Sequence, residues 1–389
     1  MNKKVLFLVG DIWDLGKNKG MPSVFKVLEK SQEKFKVDIF TTDQNRYDKE
    51  LHKSEVYYFK KISFLNTNNR YLQYINSRIN NLILNLKYIY KFVKLNKKFD
   101  LIYCSSSIPI YATYFIKKFY KVKTIHRIYG TFLYPNLGSK LDALKKFEEV
   151  LSFKLEADKY IITDDGTLGD KVAEYYKINS KDIVFLRNGV NKIAVNKEKI
   201  IEKFKMKNEK FYCLCVSRLT GWKRVDRIIS AFNKINNDNI VLFVVGDGDE
   251  KENLEAMSHN KNIIFLGSLP AYEVHGLMQV CDLFISMYDL SNIGNPLLEA
   301  LSYNMPIITY NSGNTKEVIN GNNGILIDEE DEDKIVNQLY KNILKLYSDS
   351  KLREKLKEGA KEYAGKYIYT WNERIEKEIE IINEVISLK

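Results

Sequence analysis

The stretch Tyr212-Cys213-Leu214-Cys215-Val216-Ser217-Arg218-Leu219-Thr220-Gly221-Trp222-Lys223-Arg224-Val225-Asp226 decides the fold. Its first six residues form a short, nearly continuous apolar run, the pattern of a parallel strand covered on both faces. A glycine turn follows, and the polar and apolar residues after it open a helix. The chain repeats this strand-turn-helix unit. In the first half, the strands are predicted at Lys4–Val9, Lys36–Thr41, Val56–Phe59, Leu101–Cys104, Thr124–Ile128, Tyr160–Thr163 and Val184–Leu186. In the second half they are predicted at Tyr212–Ser217, Ile240–Val245, Ile263–Leu266, Leu283–Ser286, Ile307–Thr309 and Gly324–Ile327. Helical patterns between them complete a β-α-β series, so the expected class is α/β and doubly wound.

A length of 389 residues predicts two domains. The polar stretch Asn191–Lys210 lacks a strand pattern and is the expected linker, between a first domain over 1–190 and a second over 205–365. Helical segments are expected at Glu332–Tyr347, Lys351–Tyr363 and Trp371–Leu388. Hydrophobic residues at 45% and charged residues at 29% supply two cores. Cys104, Cys213, Cys215 and Cys281 sit in or beside strand runs, with no CxxC pair and no His/Cys cluster of metal-ligand spacing. They read as reduced core residues of a cytoplasmic protein. The N-terminal run Val5–Val9 breaks at Gly10-Asp11 without a small-residue cleavage site, so it reads as a first buried strand. No apolar run approaches the roughly 18 residues of a membrane span.

The net charge of +11 is uneven. Residues 1–190 hold 34 Lys and Arg against 20 Asp and Glu, and residues 191–389 hold 27 against 30. The basic excess of the first half points to an anionic partner. Nucleic acid is not expected, because no nucleic-acid motif accompanies the charge.

Two windows carry chemistry. Arg218 and Lys223 leave a strand at its carboxyl edge, on either side of the turn at Gly221, where open α/β sheets bind ligands. An arginine grips two phosphate oxygens and a lysine adds a point charge; two solvated surface cations would leave the same spacing. The second window is Asp289-Leu290-Ser291-Asn292-Ile293-Gly294-Asn295-Pro296-Leu297-Leu298-Glu299-Ala300. Asn295 is the expected helix cap with Pro296 at the first helical position, and Gly294 permits close backbone approach. That helix start offers N–H groups and a positive dipole end to phosphate. Glu299, one turn in, can accept hydrogen bonds from ribose hydroxyls or merely favour the dipole. A third motif, Val245-Gly246-Asp247-Gly248, lacks the third glycine of GxGxxG because position 251 is Lys251, and reads as a tight strand-to-helix turn.

In order and spacing these windows resemble the retaining family 4, or group 1, glycosyltransferases. Further matches are Phe265-Leu266-Gly267-Ser268-Leu269, Met305-Pro306-Ile307-Ile308, Ser312-Gly313-Asn314-Thr315-Lys316-Glu317-Val318 and Gly321-Asn322-Asn323-Gly324. The resemblance implies the GT-B fold: two doubly wound Rossmann-like α/β/α domains facing a cleft, with a last helix, 366–389, crossing back to the first domain. It implies transfer of a sugar from a nucleotide-diphosphate sugar to an acceptor hydroxyl with retention, and no metal or other cofactor. Arg218 and Lys223 would hold the diphosphate and Glu299 the ribose; Ser291, Asn292, Gly294 and Asn295 would lie at the donor. One departure stands out. The family's first glutamate falls at position 291, where this chain has Ser291. Sugar-nucleotide epimerases share the fold, and a noncatalytic basic membrane-binding relative is a third reading.

In the first half, Gly20 would let backbone approach the donor. His126 resembles a cleft histidine that bonds the transferred sugar or assists proton movement, and equally reads as a satisfied core histidine. Arg127 is a candidate for an acidic acceptor. No acidic residue occurs between Val56 and Phe99. Leu72, Ile75, Ile79, Leu82, Ile83, Leu86, Ile89 and Val93 recur at helical steps and are expected to pack on the sheet. Lys87, Lys91, Lys94, Lys97 and Lys98 would then meet an anionic membrane surface carrying a lipid-linked or polysaccharide acceptor, with the protein peripheral at the inner face.

Overall fold

A computed structural model describes residues 3–10, 22–42, 53–60 and 69–388. The expected donor residue Gly20 lies outside them. The chain forms two compact units. Unit one holds the described residues up to Asp164, then Leu168–Arg187, and the chain from Asn372 onward. Unit two holds Asp165–Thr167 and Asn188–Trp371. The stretch 191–210 is not an extended linker, because it contains the helix Lys197–Lys203, capped where the Asn196 side chain accepts from the Lys199 N–H at 2.9 Å. Its Ile200 is buried against Gly276, where an added Cβ would lie 2.6 Å from the Ile200 side chain.

Unit one contains β1 (Lys4–Val9), β2 (Lys36–Thr42), β3 (Glu55–Phe59), β4 (Leu101–Ser105), β5 (Lys123–Ile128), β6 (Lys159–Thr163) and β7 (Ile183–Leu186). All pairings are parallel, in the order β3-β2-β1-β4-β5-β6-β7. Unit two contains β8 (Phe211–Val216), β9 (Ile240–Val245), β10 (Ile263–Gly267), β11 (Leu283–Ser286), β12 (Ile307–Tyr310) and β13 (Gly324–Ile327). These are also parallel, in the order β10-β9-β8-β11-β12-β13. From β8 the chain winds outward to β10, then returns to lay β11 against the other side of β8. The topological switch therefore lies between β8 and β11, where an open sheet of this kind has its crevice.

Alternation along each strand sends side chains to both faces. Cys213 and Cys215 enter one core of unit two, with Ile228, Phe232, Leu339 and Ile343. Tyr212 and Leu214 enter the other, with Leu277, Leu297 and Leu301. This explains the unbroken apolar runs, since neither face of the sheet meets water.

Two glycines set the loop after β8. Gly246 has φ +138°, and a Cβ there would stand 1.7 Å from the Ser217 carbonyl oxygen. At Gly248 a Cβ would stand 2.1 Å from the Leu219 carbonyl oxygen. The close approach is fixed by backbone bonds from Ser217 N–H to Val245 O, Leu219 N–H to Asp247 O and Glu250 N–H to Leu219 O, each 2.9–3.0 Å. Gly246→Ala is expected to destabilise unit two by about 3 kcal/mol, from strain and backbone displacement together. Urea unfolding followed by a unit-two probe such as Trp222 checks this, and an unchanged midpoint would mean that the loop yields freely.

Candidate functional site

The segment after β8 turns through a short 3-10 element, Gly221–Lys223, before the helix Val225–Asn233. The segment after β11 runs from Met287 to the helix Asn295–Ser302. The two segments touch at the switch point. The Lys223 ammonium lies 3.9 Å from the centroid of the Trp222 ring and 3.6 Å from that of Tyr288. The two rings meet edge to face at 6.0 Å, and the Asp289 N–H donates to the Trp222 carbonyl at 3.0 Å. Tyr288 is itself fixed, its hydroxyl donating to the Val216 carbonyl at 3.0 Å.

Burial between two rings pushes the Lys223 amine down to about 7, and the nearby Arg218 guanidinium pushes the same way. The Asp165 carboxylate opposes this shift. Asp165 was not singled out from sequence, because 53 residues separate it from Arg218 and no local motif marks it. Arg218 is exposed. The loop thus offers an exposed guanidinium beside a ring-held amine, a pair suited to an anion.

Three expected donor residues serve the loop instead. Asn292 is fully buried; its side-chain amide donates to the carbonyls of Tyr288 and Tyr310 and to the Ser312 hydroxyl, and its oxygen accepts from the Tyr288 N–H at 3.0 Å. Ser291 is also buried, its hydroxyl donating to the Asp165 carbonyl at 2.5 Å and accepting from the Ile293 N–H. The Asn295 side chain accepts from Asn188 at 2.9 Å rather than capping its helix. The cap is Gly294, with φ −106°, so Asn295 takes the first helical position and Pro296 the second. No side chain caps this helix start. At Gly294 the nearest atom to an added Cβ is Pro296 Cδ at 3.7 Å, so the backbone there is open to approach. Asp289, the acid nearest Ser291, pairs with Arg227 at 2.8 Å and Arg224 at 3.4 Å.

Glu299 lies one turn into that helix with its side chain 24% exposed. Burial raises its carboxyl to about 7. His275 Nε2 is 4.0 Å away, while His275 Nδ1 bonds the Tyr303 hydroxyl at 2.8 Å. Burial lowers the histidine, so near neutrality it gives Glu299 no full positive partner.

In unit one, His126 is a core residue. It is 2% exposed, its Nδ1–H donates to the Ser152 carbonyl at 3.1 Å, and its ring meets Tyr160 edge to face. Burial drops it to about 4, so it stays neutral and out of a substrate's reach. Arg127 is 1% exposed and bonds Ile128 O, Ile161 O and Thr163 Oγ1, with Glu378 at 3.4 Å. Both faced an interior layer that strand alternation alone does not distinguish from an open edge. Lys97 is tied to Asp38 at 2.9 Å and Glu55 at 2.6 Å, which removes it from the expected membrane set. Lys87 donates to the Lys60 carbonyl, Lys91 stacks on Tyr57 at 4.2 Å, and Lys94 and Lys98 are exposed.

Residues 196–363 match the family model described as glycosyl transferases group 1. Unit two carries a group 1 glycosyltransferase domain. The chain is a glycosyltransferase, and its relatives agree. An uncharacterized glycosyltransferase of Methanocaldococcus jannaschii is 28% identical over 286 residues, 69% of this chain and 70% of the relative. The alpha-monoglucosyldiacylglycerol synthase of Acholeplasma laidlawii is 27% identical over 138 residues, 34% of this chain and 35% of the relative. Among solved structures, Anabaena HepE in complex with UDP and glucose superposes with a TM-score of 0.73 at 16% identity, over 98% of this chain and all of that one. The glycosyltransferase thus has the two-sheet GT-B architecture. Among the described residues no helix is long and apolar enough to cross a membrane.

In the glycosyltransferase, competitive acetylation of Lys223 across pH is expected to titrate with a midpoint near 7, against the usual value above 10 for exposed lysines. Mass-spectrometric labelling checks it. An ordinary lysine profile would mean that the rings do not desolvate the amine.

Proposed function

We propose that this glycosyltransferase holds the diphosphate of its donor between Arg218, Lys223 and the start of the helix Asn295–Ser302, with the ribose against Glu299. The contact that carries the reading is Lys223 of the β8 loop seated on Tyr288 of the β11 loop, at the switch point of the sheet. When the bond between sugar and diphosphate breaks, negative charge grows on the leaving group. Cations and N–H dipoles already in place stabilise it without reorganising, and no metal is required for this. The sugar passes to an acceptor hydroxyl with retention, as the family 4 resemblance implies. The acceptor is lipid-linked or a polysaccharide, met on the cytoplasmic side of the membrane; the name of the Acholeplasma relative specifies a diacylglycerol lipid. Arg218→Ala or Lys223→Ala is expected to lower turnover by roughly 10²–10³ with the fold intact. Transfer to acceptor, assayed over a panel of sugar nucleotides, decides it. Near-normal rates in both variants would overturn the clamp, and epimerisation of the donor without acceptor would replace the reaction.

The two perturbed groups give the site a proton signature. Lys223 sits near 7 because it is desolvated; a bound diphosphate favours its charged form, so binding takes up a proton. Glu299 sits near 7 for the same reason; ribose hydroxyls favour its ionised form, so binding releases one. At pH 7 each group is roughly half protonated, and the two changes oppose each other. Titration calorimetry with a nucleoside diphosphate, in buffers of different ionisation enthalpy, is expected to show little net proton exchange for the wild type. Glu299→Gln should show uptake and weaker affinity for the bare nucleotide, and Lys223→Met should show release. The same net exchange in all three would remove both groups from the site.

A further inference from the structure

The helix Arg70–Leu95 in unit one turns its expected core face outward. The side that packs on the sheet is Leu84, Asn85, Tyr88 and Phe92. The Tyr88 hydroxyl donates to the Val9 carbonyl at 2.8 Å, and Asn85 bonds Ile108 O and the Ala112 N–H. This leaves Leu72, Ile79, Leu82, Leu86, Tyr90 and Val93 between 38% and 67% exposed. Their steps of three, four and seven residues place them on one stripe about six turns long.

A second element extends the apolar surface. Tyr74 donates its hydroxyl to the Leu144 and Lys145 carbonyls at 2.8 and 2.6 Å, and Arg78 bonds the Leu144 carbonyl. These contacts hold the short helix Lys140–Lys145 beside the first helix, with Leu141 63% and Leu144 59% exposed. Cations border both elements: Lys87 and Lys94 on the long helix, Lys140 and Lys145 on the short one. The long helix carries no acid, whereas the short one has Asp142 between its two lysines.

An apolar stripe beside lysines on a surface helix matches the two layers of a lipid interface: acyl chains for the leucines, anionic headgroups for the ammonium groups. We infer that the helices Arg70–Leu95 and Lys140–Lys145 form a monotopic docking face that inserts Leu82, Leu86, Tyr90 and Leu141 into the headgroup boundary of an anionic bilayer. Docking is then apolar burial assisted by charge, rather than charge alone. That this surface bears the acceptor rests on the transferase reading; the docking itself does not, because it uses no donor residue.

The test is co-sedimentation of the full chain with phosphatidylcholine vesicles, with and without phosphatidylglycerol. Binding is expected on the anionic vesicles, weakened by salt. Leu82→Glu/Leu86→Glu should lose at least tenfold in partitioning, and Lys87→Glu/Lys94→Glu should lose the preference for anionic lipid. Both variants change exposed or half-exposed side chains, and an unchanged melting profile with retained nucleoside-diphosphate binding confirms the fold. A Tyr90→Trp reporter should blue-shift with anionic vesicles and be quenched by brominated acyl chains. Unchanged partitioning of the Leu82/Leu86 variant, or a reporter that stays in water, overturns the inference. So does a wild-type dimer that the same variant converts to monomer without change in vesicle binding, since a second copy would then be the occupant. Transfer to a soluble acceptor that persists without vesicle binding would refute docking and leave the transferase reading standing.

Discussion

The contact between the β8 and β11 loops, with the Lys223 ammonium against Trp222 and Tyr288, is the constraint on which the rest of unit two depends. An ammonium group taken out of water is costly unless an opposite charge arrives. The protein meets part of that cost with the ring quadrupoles of Trp222 and Tyr288. Everything around the pair serves to hold it. Gly246 and Gly248 admit the backbone that braces Ser217–Leu219. Asn292 knots the β11 loop so that Tyr288 cannot turn away. Ser291 anchors the Asp165–Thr167 segment, and Gly166 has no room for a side chain against Ser291 and Ile293.

Other charges in the same unit are spent on structure. Arg227, 4% exposed, bonds Glu332 through two nitrogens and reaches Asp289 and the Met287 carbonyl. Arg224 joins Glu332, Asp226 and Asp289. Hydrogen bonds from both arginines hold the Glu332 carboxyl down at about 2. This network ties the helices Val225–Asn233 and Glu332–Ser348 together behind the loops. It also accounts for Asp289, whose carboxylate is paired with Arg227 and Arg224. An acid paired with two arginines and an amine held by two rings thus lie within one loop pair.

Unit one uses buried charge differently. Arg127 and Arg374 share Glu378, which also accepts from the Tyr103 hydroxyl, and all are almost wholly buried. Two guanidinium groups against one carboxylate fix the last helix, Trp371–Ser387, to the strand ends of that unit. Breaking such a buried cluster at one member leaves an uncompensated charge, so its worth lies in specifying the packing as much as in stability.

The sequence by itself determined the elements. Among the described residues the thirteen strands lie within a residue or so of where the apolar runs put them, because parallel strands, most of them buried on both faces, admit few polar residues. It also placed Arg218 and Lys223 around the turn after β8 and Glu299 in the helix that follows the β11 loop, which is where the structure has them. Tertiary structure decided which side of a residue meets water. Asn292 and Ser291 carry polar groups that look available in sequence, yet both are consumed by nearby backbone and by Tyr310, Ser312 or Asp165, farther off in the chain. His126 and Arg127 lie beneath the helix Phe147–Lys154 and beside Glu378, partners that no local window contains. For the helix Arg70–Leu95 periodicity picked one apolar stripe as the core face, but apolar residues also lie off that stripe, at Leu84, Tyr88 and Phe92. The tertiary neighbours decided the face: Val9 O, Ile108 O and the Ala112 N–H are bonded by Tyr88 and Asn85, which puts that side inward and the leucine stripe outward.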